Sequence, residues 1–137
     1  MLLNVGGVAV MKIMMVDNEP GILQVGQIFL KKMGQYDVRT AKSAIEALEI
    51  LRENKFDAVI SGYQMPEMNG SEFLKEFRKS DSETPFIIFS TWDTSEMNPH
   101  PFTGKADHYV RKSDRAGKQF EEINRKIISR NSGMVCH

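Results

Sequence analysis

Phe56-Asp57-Ala58-Val59-Ile60-Ser61, running on through Gly62-Tyr63-Gln64-Met65-Pro66-Glu67-Met68-Asn69-Gly70, is the stretch that decides the architecture. Its first six residues form a short, mostly apolar run of the kind that fills a strand buried on both faces. Gln64–Gly70 carries Pro, Asn and Gly and predicts a loop. Ser71–Lys79 then places Phe73, Leu74 and Phe77 on one helical face. A buried strand, a loop and an amphipathic helix make one unit of a parallel sheet covered by helices.

The same unit recurs on either side. Lys12–Val16 is an apolar run of strand length. Glu19–Met33 has Ile22, Val25, Phe29 and Met33 at helical spacing, and Gly34 is a natural stop. Tyr36–Thr40 alternates like a strand around Val38. Ser43-x-x-Glu46 predicts a capping box ahead of Ala44, Leu48 and Leu51. Phe86–Ser90, set off by Pro85, reads as a strong strand and His108–Lys112 as a weaker one. Asp114–Arg130, with Phe120, Ile123 and Ile127, predicts a closing helix. The expected class is α/β, with helices on both faces of a mainly parallel sheet.

The 137 residues suit one domain over 12–130, with an apolar extension at 1–11 and a disordered tail at 131–137. Residues 1–11 read as a floppy or edge-packed lead-in, too short for a membrane span and without the features of a signal peptide. Met11 offers a possible internal start, leaving 1–10 as an addition. Lys+Arg and Asp+Glu number 18 each, so no net charge pulls the chain toward nucleic acid or an anionic membrane, and neither is expected as a partner. The single cysteine, Cys136, permits no internal disulfide, which fits a cytoplasmic setting. Cys136 with His137 on a chain end is a poor metal site, and His100 and His108 read as surface histidines.

In a doubly covered parallel sheet the active crevice lies outside the carboxyl ends of the strands. There the sequence places Asp17, Asn18 and Glu19 after one strand, Ser61 and Gly62 after another, then Ser90 and Thr91, and finally Lys112. Carboxylates suit a hard cation such as Mg²⁺, and a lysine with a hydroxyl suits phosphate oxygens. The plainer alternative is that polar residues merely cap strands where loops begin.

These residues carry a resemblance. Val16-Asp17-Asn18-Glu19-Pro20 resembles the acidic signature after the first strand of two-component receiver domains. Ser61 to Gly70 resembles their central loop, in which an aspartate is followed by x-x-Met-Pro-x-Met-x-Gly. Ser90 matches the Ser/Thr of the fourth strand, Lys112 the lysine of the fifth, and Tyr109 the switch aromatic. The resemblance spans roughly Lys12 to Arg130 and implies the flavodoxin-like, CheY-like fold with strand order 2-1-3-4-5. It also implies phosphorelay chemistry, in which a central aspartate takes a phosphoryl group from a kinase phosphohistidine with Mg²⁺ assisting.

The chain departs from that pattern at three places. Gly62 stands at the acceptor position and supplies neither nucleophile nor metal ligand. Asn18 replaces one acid of the pair, leaving Asp17 with Glu19 as helper, so Mg²⁺ is expected to bind weakly or not at all and no cofactor is expected. Pro99 and Pro101 interrupt the segment where receivers place a fourth helix, which is expected to be lost or shortened. Ser113 follows Lys112 where many receivers carry a cis-proline, so a trans bond is expected.

The leading expectation is a pseudo-receiver, not an enzyme, that acts by contact with a signalling protein such as a histidine kinase or output protein, with a homodimer also open. The alternative is a working phosphoacceptor using another residue. Asp17 is the best placed, since Ser61 should face away from the crevice and Asp57 lies at the far end of its strand. A flavin binder is a third class, but the acidic Asp17-Asn18-Glu19 turn would repel a flavin phosphate.

Overall fold

In the computed structural model the described residues are 3–5, 8–34, 36–90, 108–111 and 120–127. The elements run β1 (Leu3–Val5), β2 (Val8–Val16), α1 (Pro20–Met33), β3 (Tyr36–Ala41), α2 (Ala44–Glu53), β4 (Ala58–Gly62), α3 (Gly70–Arg78), β5 (Phe86–Ser90) and β6 (His108–Arg111). A last helix, α4, covers residues 120–127.

Five strands pair in parallel in the order β3-β2-β4-β5-β6, as expected. Counting them from β2 reproduces the 2-1-3-4-5 arrangement. β1 adds an antiparallel pairing to the start of β2, with Leu3 opposite Val10 and Val5 opposite Val8. The first long strand therefore begins at Val8 rather than Lys12, and residues 3–5 and 8–11 belong to the sheet. The overlooked signal is Val5-Gly6-Gly7-Val8, a glycine pair between β-branched residues, which is a hairpin pattern.

Two cores form, one on each face of the sheet. Met14, Val16, Val59, Phe86 and Ile88 pack with Ala44 and Ala47 of α2 and with Phe73, Leu74 and Phe77 of α3. Ile13, Met15, Ile60, Ile87 and Phe89 pack with Leu23 and Leu30 of α1 and with Phe120, Ile123 and Ile127 of α4. Alternate residues of each strand thus serve opposite helix layers, which is why the runs are apolar throughout. Gly26 lets α1 lie close on β2: a Cβ there would meet the Met15 thioether at 2.3 Å.

Element ends follow side-chain chemistry. Ser43 Oγ accepts the Glu46 N–H at 3.1 Å, but Glu46 reaches back to the Lys42 N–H at 3.3 Å, so the expected capping box is only half made. The complete box lies at Asn69 and Glu72, where each side chain accepts the other's backbone N–H. β4 starts at Ala58 rather than Phe56, because Asp57 turns its carboxylate to accept the Lys12 N–H at 2.7 Å. β6 covers His108–Arg111, and Lys112, the last residue of the expected strand, lies outside the described residues. The expectations for the segment holding Pro99 and Pro101, for the Lys112–Ser113 bond, for helix beyond 120–127 and for the tail fall outside the described residues.

Candidate functional site at the strand ends

The crevice is built where β2 and β4 stop. Asp17 follows β2 and still donates its backbone N–H to Ala41 at 3.1 Å, so it leaves the sheet only after its main chain is tied to β3. Its side chain is 2% exposed, and Oδ1 accepts the Glu19 N–H at 3.0 Å. That turn delivers the chain into α1, whose first residue is Pro20, a position where a missing N–H costs nothing. Glu19 stands at the N-cap with no side-chain cap bond, and its carbonyl accepts from Ile22 and Leu23. Asn18 and Glu19 are exposed at the rim. Asp17, Asn18 and Glu19 do not gather into one acidic nest: the first points inward and the other two outward.

β4 is buried along its whole length and ends on Gly62. Val16 pairs with Ser61, so the next step of the register sets Asp17 beside Gly62. A Cβ on Gly62 would lie 2.7 Å from Asp17 Oδ2 and 3.1 Å from its Cγ. The Asp17 carboxylate thus occupies the space that a side chain at position 62 would need. Ser61 is fully buried and its hydroxyl donates to the Gly62 carbonyl at 2.8 Å, so it faces away from the crevice, as alternation requires.

The loop after β4 is fixed by backbone. Gly70 N–H donates to Tyr63 at 2.7 Å, Met68 N–H to Pro66 at 2.7 Å, and Glu67 sits at φ 71 in the left-handed region. Asn18, Tyr63, Gln64, Met65, Pro66 and Asn69 line a shallow open depression beside the rim, none of them charged. The sequence reading overlooked this depression, since its residues other than Asn18 carry no acid–base or ligand pattern.

On the far side, Ser90 ends β5 opposite Arg111 of β6, and Tyr109 pairs with Ile88. The backbone therefore sets Ser90 at the same sheet end as Gly62, whose partner in β5 is Phe89. Thr91 and Lys112 lie outside the described residues. Among the described residues no three His, Cys, Asp or Glu side chains converge on a point that could hold a metal ion.

The strand order and the crevice geometry bear directly on family. The model of the response regulator receiver domain matches residues 13–124. The chain belongs to that family. Response regulator SaeR of Staphylococcus aureus is 31% identical over 100 residues, covering 73% of this chain and 43% of SaeR. The chain thus spans less than half the length of the curated relatives it matches. Among solved structures, chemotaxis response regulator CheY4 of Vibrio cholerae superposes with a TM-score of 0.77 at 27% identity, covering 85% of this chain and 98% of that one. A receiver domain protein from Clostridium thermocellum gives 0.75 at 29% identity, with 93% and 99% covered. TrrA of Thermotoga maritima, in complex with Mg²⁺ and BeF, gives 0.72 at 28%, with 85% and 98% covered. In this receiver, then, the residue closing the central strand is a glycine with a buried aspartate pressed against it.

Proposed function

We propose that this receiver takes part in two-component signalling through protein contact, without accepting a phosphoryl group at the end of its central strand. One observation carries the reading. Position 62 has no side chain, and the nearest carboxylate, Asp17, is 2% exposed and directed at that place. A nucleophile must reach its donor in line, and a buried carboxylate hydrogen-bonded to Glu19 N–H is poorly set to do so. The same arrangement supports weak or absent Mg²⁺ binding, because among the described residues Asp17 alone turns a carboxylate into the crevice and Mg²⁺ sites ordinarily combine carboxylates with phosphate oxygens. The reading has no turnover, no resident cofactor, and a cytoplasmic histidine kinase or output protein as partner. Among the described residues no helix is long and apolar enough to cross a membrane.

The test is incubation with acetyl phosphate and Mg²⁺ followed by intact-mass measurement and peptide mapping. The expected result is an unmodified chain. A stoichiometric phosphate adduct overturns the reading, and mapping it to Asp17 would establish the alternative of a relocated acceptor. Calorimetric titration with MgCl₂ is expected to show no binding at physiological concentration, and micromolar affinity would count against the reading.

A further inference from the structure

We propose that Asp17 is the resident occupant of the acceptor place, seated there because position 62 is glycine, so that this chain's own carboxylate locks the rim in one arrangement. The inference deepens the preceding section and rests on it only in taking residue 62 as the acceptor position. Three observations converge. Asp17 Oδ2 lies 2.7 Å from the point a Cβ on Gly62 would take. The Asp17 side chain is almost wholly buried. Its other oxygen, Oδ1, is tied to the Glu19 N–H at 3.0 Å. Withdrawing that carboxylate would give up its hydrogen bond to the Glu19 N–H at the start of α1.

The lock joins two places usually considered apart. Any side chain at position 62 must push Asp17 outward. Asp17 must then release Glu19, whose carbonyl accepts the Ile22 and Leu23 N–H groups in the first turn of α1. The strand end and the first turn of α1 therefore move together or not at all. Filling the crevice would be read at a helix start on the surface.

The sign of one substitution tests this. Glycine inside a strand ordinarily weakens it relative to alanine, so at an open site Gly62→Ala would raise the melting temperature. Against a seated Asp17, the methyl group needs space already filled, and the melting temperature is expected to fall by several degrees. In an Asp17→Ala background the same Gly62→Ala change is expected to be neutral or to raise the melting temperature. In the Gly62→Ala single variant, the Glu19 amide resonance is expected to shift and to lose protection from hydrogen exchange. If that variant fails to fold, a folded Asp17→Ala/Gly62→Ala double variant supports the lock. An unfolded double beside a folded Asp17→Ala single overturns it. A melting temperature that rises in Gly62→Ala, or an equal fall in both backgrounds, also overturns it. The cycle contains no phosphodonor, so its failure removes the lock and leaves the phosphoryl-transfer reading standing. A phosphate adduct on the wild-type chain removes that reading and leaves the cycle's outcome as measured.

Discussion

Gly70 and Gly62 touch through the main chain: a Cβ on Gly70 would sit 2.4 Å from the Gly62 carbonyl oxygen and 3.0 Å from Tyr63 Cα. Both obstacles are backbone. The collision differs in kind from the one at Gly62, where the neighbour is a side chain that can be removed. Gly70→Ala is therefore expected to destabilise the fold by roughly 1–3 kcal/mol, as overpacking does, with no rescue from Asp17→Ala. Chemical denaturation of the two variants and their double checks this, and rescue by Asp17→Ala would contradict it.

Glu67 holds φ 71, where a Cβ is strained and glycine is not. Glu67→Gly is expected to stabilise the protein by up to about 1 kcal/mol, the left-handed penalty less the added freedom of the unfolded chain. Glu67→Val is expected to destabilise it, because a β-branched residue tolerates positive φ least. Thermal unfolding of the pair should move in opposite directions. Movement in the same direction would show that the loop rearranges.

Tyr36 of β3 donates its hydroxyl to Asn124 Oδ1, tying the edge strand to α4 across 88 residues of sequence. Tyr36→Phe is expected to cost about 0.5–1.5 kcal/mol, the net worth of one hydrogen bond. Burial also pushes the Tyr36 pKa above its ordinary value. A group raised on folding stabilises the native state below its unfolded pKa and loses that contribution as pH rises through the folded one. The wild-type chain is thus expected to lose stability above about pH 10, and Tyr36→Phe to lose less over that window. Equal alkaline slopes in denaturant melts would refute this.

At the end of the sheet away from Gly62, Asp81 accepts the Glu83 and Thr84 N–H groups at 3.0 and 2.9 Å and the Thr84 hydroxyl at 2.5 Å. Burial pushes its pKa upward, but the hydrogen bonds from Thr84 and Glu83, with Lys55 nearby, outweigh it and leave the pKa lowered. A group lowered on folding stabilises the native state above its unfolded pKa and loses that as pH falls through the folded value. Stability is therefore expected to fall as pH drops below about 4, the ordinary aspartate value, and less so in Asp81→Asn. That variant is expected to cost about 1 kcal/mol at neutral pH, because the three hydrogen bonds lose their charged acceptor. Melting curves from pH 7 to 3 compare the two chains.

Much of the fold was legible because both faces of the sheet are covered. Full burial forces near-continuous apolar runs such as Ile13–Val16 and Phe86–Phe89, and helix-spaced residues such as Phe73, Leu74 and Phe77 must answer them. What escaped the sequence reading depends on where single side chains turn. Asp57 lies in an apolar run of strand length, yet its carboxylate takes the Lys12 N–H and the strand begins one residue later. Asn69 and Glu72 form the complete cap although the Ser43 motif advertised one, because Glu46 has the Lys42 amide within reach. At the crevice, chain order brought Asp17 and Gly62 together correctly. Nothing in their spacing said that the carboxylate would turn inward while Asn18 and Glu19 turned out.

The pairing of β1 with β2 fixes where an attachment can be made without disturbing the crevice. Val8 and Asp17 are nine steps apart along an extended chain, about 30 Å at 3.3 Å per residue. A fluorophore, bead or surface tether joined through β1 would hold the protein by its base. Asp17, Asn18 and the hollow beside Asn69 would then face away from the support, open to whatever is passed over them.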